Sequence, residues 1–347
     1  MRRWVVGDRI VTETFIGELK HVAETMGSPH LTPIIARIRR PLRVAVAGRV
    51  GVGRGSVVAA LRQRGVVVAP IGAGRDAFDV CVLVIAETIK TEDLAVARSV
   101  RRPVLIVLTK ADLAGSGPGG PIAVARRRAT AVRRLTGAPT VPIVGLLAAL
   151  DGAVALEPDL VAALALFVTE PPNLASVDSF VDDPHPVCRD VRIRLLARLD
   201  RFGIAHAVLA LADGCDPGRL PAHLSGLAGL DEVVSALDAL AAPVRYRRMR
   251  RAVAELRCLA VQLEDVELSD LLAADVTVMA MMTAAVEVIE ATGLSVDRGD
   301  TASAHLDRAV RWRRYGRGPV NALHRRCSAD IVRGSLRLLD GGHRSSA

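Results

Sequence analysis

Between residues 42 and 170 short apolar runs alternate with helical patterns, and this alternation limits the possible folds more than any other feature of the chain. The runs are RVAVAG (43–48), VVVAPIG (66–72), FDVCVLVIAE (78–87), PVLIVLTKADL (103–113) and PTVPIVG (139–145). Helical stretches at 56–64, 91–102, 122–137 and 158–170 separate or follow them. Strands and helices alternating at this spacing predict a parallel sheet covered on both faces. The 78–87 run is apolar on both faces, as a central parallel strand should be. Thr91 is the expected N-cap of the helix after it. Half of the residues are hydrophobic but only 3% are aromatic, so the core must be built from Ala, Val and Leu.

Outside that block the pattern is helical. Residues 10–40 read as a helical pair interrupted at GSPH (27–30), and 171–186 (PPNLASVDSFVDDPHP) reads as a linker. Amphipathic patterns at 187–212, 230–260, 264–292 and 301–340 predict an antiparallel helical bundle. The expected order is an N-terminal helical arm (1–41), an α/β domain (42–170), the linker (171–186), the bundle (187–340) and a disordered tail (341–347). The longest apolar stretch, 276–293, is broken by Glu287 and Glu290. It falls short of the roughly 18 apolar residues of a membrane span and reads as a buried helix. The start lacks a secretory h-region, and the five cysteines are scattered without a C-x-x-C. Both features predict a cytoplasmic protein with reduced thiols. The histidines are dispersed without metal spacing, so no metal ligands are assigned.

Two motifs carry chemistry. The first strand runs into GRVGVGRGS (48–56), where Gly48 and Gly53 keep the glycine spacing of the phosphate-binding pattern G-x-x-x-x-G-K-[ST]. Arg54 replaces the lysine, Gly55 replaces the hydroxyl residue that ligates magnesium, and Ser56 stands one position late. Gly48, Gly51, Gly53, Arg54, Gly55 and Ser56 are the candidate phosphate contacts. The second motif, Thr109-Lys110-Ala111-Asp112, follows a strong apolar strand and matches the [NT]KxD signature of GTPases. In that signature the Asp accepts from guanine N1 and N2, the Lys stem covers the base, and Asn or Thr braces the loop. Lys110 is one of three lysines in a chain that otherwise uses arginine. Val144 and Gly145 occupy the place of the loop whose backbone meets guanine O6.

A third motif is damaged. Where a GTPase carries D-x-x-G, the chain has Ala69-Pro70-Ile71-Gly72, so Ala69 offers no carboxylate and Gly72 keeps only its N–H. Gly65 alone joins the first helix to the second strand, leaving no room for a switch I loop. Three contributors to metal binding and water attack are therefore missing together, which speaks against Mg²⁺ and against fast hydrolysis. No catalytic residue is assigned.

With the opening glycine turn, the TKAD loop, VPIVGLLA (141–148) and the helical segments around 195–211, 224–260 and 311–339, the chain resembles bacterial dynamin-like GTPases, especially the actinobacterial isoniazid-inducible type. The resemblance implies a GTPase-like α/β P-loop domain, truncated in the switch region, ahead of an all-α bundle. It implies GTP or GDP as ligand, GTP-linked homo- or heterodimerisation and association with the inner face of the membrane. The damaged motifs turn this towards a weak guanine-nucleotide binder, or pseudo-GTPase, acting as regulatory or scaffold partner of an intact paralogue. A slow GTPase completed by a partner or dimer is the alternative. A third reading is a basic helical protein with an inert α/β platform. The net charge is +9, and the basic clusters 126–134, 245–251 and 311–317 suit anionic lipid more than nucleic acid, or simply form solvated helix faces. Trp312 and Tyr315 in the last cluster suit a membrane interface or base stacking.

Overall fold

The computed structural model describes residues 8–70, 74, 77–150 and 155–344. The chain opens with α1 (Asp8–Met26) and α2 (Leu31–Arg39). The alternating block follows as β1 (Arg43–Ala47), α3 (Arg54–Gln63), β2 (Val67–Val68), β3 (Val80–Ala86), α4 (Thr91–Ser99), β4 (Val104–Thr109), α5 (Gly120–Thr136), β5 (Thr140–Pro142), α6 (Gly145–Ala148) and α7 (Pro158–Thr169). The remainder is helical: α8 (Val177–Asp182), α9 (Arg189–Ala212), α10 (Leu220–Leu227), α11 (Leu230–Gln262), α12 (Val266–Ala273), α13 (Asp275–Glu290), α14 (Ala302–Arg317) and α15 (Ala322–Arg344). Packing divides the chain into a sheet unit, 42–237, and a helical unit made of 1–41 and 238–347. Helices α9 and α10 thus pack with the sheet, and the N-terminal pair α1 and α2 packs with the C-terminal helices.

Among the described residues the sheet has five strands in the order β2-β1-β3-β4-β5, and every pairing is parallel. Val80 to Ile85 of β3 are buried, as two-sided coverage of a central strand requires. Of the described part of the 66–72 run, Val67–Val68 form β2, and Ala69 donates its N–H to Val44 O at 2.8 Å. The join from α3 to β2 is a tight helix stop. Gly65 has φ +73°, its N–H reaches Arg62 O at 2.9 Å, and Val66 N–H reaches Leu61 O at 3.0 Å.

Two expectations are corrected in this unit. Lys90, with extended backbone, is the N-cap of α4, and Thr91 is the first helical residue. The Asp93 carboxylate explains the shift, because it folds back to accept the Lys90 N–H at 3.0 Å. The 171–186 stretch is a packed element as well as a connection. Ser176 caps α8 by accepting the Ser179 N–H at 2.9 Å. Phe180 is fully buried edge-to-face on Phe167 of α7, with ring centroids 5.8 Å apart. The buried Arg192 of α9 donates to Phe180 O and Asp183 O and closes the segment.

The helical unit has its own core, which includes Phe15, Leu19, Leu31, Met249, Leu256, Met282, Ile289, Trp312 and Ile331. Trp312 is therefore inside, contrary to its expected interfacial place. His305, Arg308, Ala309 and Trp312 repeat at helical spacing along the buried face of α14, while Arg311, Arg313 and Arg314 remain exposed. Tyr315 is half-buried and bonds His324 Nδ1 at 2.6 Å. α15 continues to Arg344, into the segment expected to be a tail. Among the described residues no single helix is long and apolar enough to cross a membrane. The pair α12 and α13 meets that test only together, with a 47° bend between them, and most of α13 is buried in the core.

Candidate functional site at the carboxyl edge of the sheet

The strand order reverses direction between β1 and β3. In open parallel sheets the crevice at the carboxyl ends beside such a switch point is where ligands bind. The residues singled out from the sequence gather along this edge. The turn 48–53 leaves β1, the Thr109–Asp112 loop leaves β4, and Val144 and Gly145 follow β5. Gly72 lies outside the described residues, and Ala69 is a buried residue beside β1.

Gly48 has φ +147°, and a Cβ there would sit 2.4 Å from Val84 O of β3, so only glycine lets the two strands' ends pass. Gly51 and Gly53 also have positive φ, and Gly53 is the left-handed N-cap of α3. The unpaired first amides of α3 consequently face the crevice side of the turn, with the positive end of the helix dipole behind them. Arg54 is half-buried and makes no hydrogen bond or ion pair among the described residues. Gly55 is exposed. Ser56 turns towards α6, its Cβ 3.6 Å from the point where a Cβ of Gly145 would stand.

Thr109 ties the edge together. It is buried, and its hydroxyl lies 2.6 Å from Val52 O in the glycine turn and 3.1 Å from Ile85 O of β3. Lys110 then adopts left-handed backbone, φ +57°, which turns the chain into the short helix Ala111–Leu113. Asp112 is half-buried there. Burial pushes its carboxyl above the usual range, the charge of Asp200 adds to this, and Lys110 pulls the other way. Perturbed carboxylates in a crevice are characteristic of binding sites, although structural clusters produce them too.

On the β5 side the arrangement departs from the expectation. The Val144 N–H, assigned to a base carbonyl, donates instead to Ala228 O at 3.1 Å. Gly229 follows with φ +78°, so close that a Cβ would lie 2.7 Å from Pro142 O. Gly145 begins α6 and presents its amide at the start of that helix.

Further residues of the edge carried no signal in the sequence. Arg49 pairs with the buried Asp93 at 3.2 Å, which pins the glycine turn to the start of α4. Glu87 has φ +61°, and Thr88 N–H reaches back to Ala86 O at 2.7 Å, a strained three-residue turn at the end of β3. Asp200 sits inside α9 with φ +54° and ψ +176°, a conformation almost confined to glycine, and breaks that helix. A carboxylate at 200 or a positive φ at 87 is invisible to motif and periodicity. Among the described residues no group of three or more His, Cys, Asp or Glu side chains is placed to hold a metal ion. No protein-family model, curated protein or solved structure matches the chain.

Proposed function

We propose that the sheet unit is a degenerate P-loop G domain of the dynamin-like kind. It binds guanine nucleotide weakly and without magnesium, and it serves as the regulatory or scaffold partner of an intact paralogue. The observation that carries this reading is the Thr109 hydroxyl, which links the loop assigned to the base with the turn assigned to the phosphates. In such a site the α3 amides and Arg54 hold phosphate, the Lys110 stem covers the base, and Asp112 accepts from its N1 and N2. The residues at the magnesium positions do not fit the ion: Gly55 has no hydroxyl, Ala69 no carboxylate, and α3 passes directly into β2. With the Val144 amide engaged by Ala228, base recognition rests on fewer contacts, which is in keeping with low affinity.

Titration with fluorescent GDP, GTP and ATP, with magnesium or with a chelator, tests the reading. Saturable guanine-nucleotide binding is expected at about micromolar Kd or weaker, changed less than about threefold by magnesium, with no turnover above buffer. Absence of saturable guanine-nucleotide binding up to about millimolar concentration would overturn it. Magnesium-dependent turnover would replace the pseudo-GTPase reading with that of a working enzyme.

Asp112→Asn makes a sharper prediction. It should move preference from guanine towards xanthine nucleotide by about tenfold or more, read by competition. It should also raise the thermal midpoint at neutral pH. The folded-state pKa of Asp112 is raised, so the stability it contributes is complete at acid pH and is lost as pH rises through that pKa. An unchanged base preference would remove Asp112 from base recognition.

A further inference from the structure

Within the helical unit, a cavity of about 340 Å³ is lined by Tyr246, Arg247, Arg250 and Arg251 of α11 and by Leu323 and Arg326 of α15. The basic stretch 245–251 is not evenly neutralised around it. Arg245 pairs with Glu287 at 2.9 Å, and Arg251 with Glu255 at 2.8 Å. Arg248 donates to Arg40 O at 2.7 Å. Arg247, Arg250 and Arg326 make no ion pair among the described residues, and all three line the cavity. The Arg250 guanidinium lies 5.9 Å from the centre of the Tyr246 ring. Beneath it, the Tyr246 hydroxyl donates to Asp330 Oδ2 at 2.6 Å, and Arg333 stands 3.6 Å from Asp330 Oδ1. Asp330, bonded to the lining residue Tyr246, is thus engaged on both oxygens.

Guanidinium groups brought together without counter-charge repel one another, and an anion among them relieves that repulsion. Their planar forks match phosphoryl oxygens two at a time. The unmatched charges converge on one concavity, whereas their neighbours along α11 are paired, and this geometry suits a compact anion more than an extended polymer. We infer that the α11–α15 cavity binds a small anion or headgroup carrying two or more phosphoryl groups. All its residues belong to the helical unit, so the inference stands or falls separately from nucleotide binding at the sheet.

Calorimetric titration of the full chain with inorganic tripolyphosphate at about 50 mM salt tests it, since screening hides such contacts at higher ionic strength. Saturable binding is expected, weakened about tenfold or more by Arg250→Gln with Arg326→Gln. The exposed pair Arg133→Gln with Arg134→Gln, on α5 of the sheet unit, should change it less than about twofold. Arg54→Gln, which removes the side chain assigned to phosphate in the sheet unit, separates the two sites: binding lost in that variant and kept in the Arg250/Arg326 variant would overturn the inference. Co-sedimentation with phosphatidylcholine vesicles containing a phosphatidylinositol bisphosphate distinguishes the sources. Vesicle binding lost in the Arg250/Arg326 variant identifies a lipid headgroup, whereas tripolyphosphate binding without vesicle binding identifies a soluble ligand. Lack of saturable binding to both probes, or equal weakening by the two arginine pairs, would overturn the inference.

Discussion

Gly48→Ala is expected to destabilise the sheet unit by roughly 3–5 kcal/mol, combining positive-φ strain with overpacking. The added Cβ would stand 2.4 Å from Val84 O and 3.2 Å from Val52 Cγ2, and the first of these is backbone of the central strand, which cannot rotate away. β1 and β3 are neighbours in the ladder, so any shift at position 48 must be absorbed by the pairing of Ala47 with Leu83. Gly55→Ala is the matched control. Nothing lies within 4 Å of a Cβ there, and the position is helical and exposed. That change should be neutral or stabilise by about 0.5–1 kcal/mol. Denaturant unfolding of the two variants measures the difference, and equal midpoints would refute the close approach of the turn to β3. The same space lets Gly55→Ser enter without strain, so a hydroxyl can be restored at the magnesium position without disturbing the turn.

This contrast changes what the glycine pattern means. Gly48 is required by the passage of one strand end across another, whether or not a phosphate binds. The part of GRVGVGRGS that bears on the proposed phosphate site is therefore Gly53, Arg54 and the α3 amides, not the glycine count. The parallel sheet was legible because two-sided burial writes itself as continuous apolar runs, and Val80–Ile85 is the clearest case. Helix ends were less legible. The side chain that selects Lys90 as cap is Asp93, three residues inside the helix. The α8 segment looked like a linker because its Pro, Asp and Ser content outweighs one phenylalanine, yet Phe180 on Phe167 decides its packing. At the candidate site the two loops could be found from motif spacing, since each is local in sequence. The Val144–Ala228 hydrogen bond could not, because it joins segments far apart in the chain. Trp312 was misplaced for a related reason. Its basic neighbours dominate the composition of that stretch, while the helical period sends the indole inward and the arginines outward.

Arg308→Ala should be among the most damaging changes in the helical unit. The Arg308 side chain is fully buried, and it donates to Ser335 Oγ at 3.0 Å, Asp297 O at 3.0 Å, Gly299 O at 3.1 Å and His305 Nδ1 at 2.6 Å. It thereby fastens the 297–299 loop to α14 and α15. Truncation leaves Ser335 Oγ and His305 Nδ1 buried without this donor, releases the carbonyls of the 297–299 loop and opens a cavity, a loss of about 2–5 kcal/mol. Arg308→Lys keeps the charge but cannot reproduce the fork, and should cost about 1–3 kcal/mol. His305 adds a pH signature. Its pKa is held below the ordinary 6.5 by burial first and by the Arg308 charge second, against the opposing pull of Asp300 and Asp297. The unfolded chain then takes up the proton more readily than the folded one. The stability tied to neutral His305 is complete above about pH 6.5 and declines as pH falls through 6.5 towards the lowered value. The acidic groups with lowered pKa, among them Glu255, lose their contribution only at more acid pH, so the two windows separate. His206 of the sheet unit, also lowered by burial, titrates in the same sense, and His206→Asn removes its share. Against that background, His305→Asn should flatten the dependence of stability between about pH 5 and 7. An unchanged slope would remove His305 as a source of the pH dependence, and an Arg308→Ala variant as stable as the parent would show that the Arg308 network does not hold the loop.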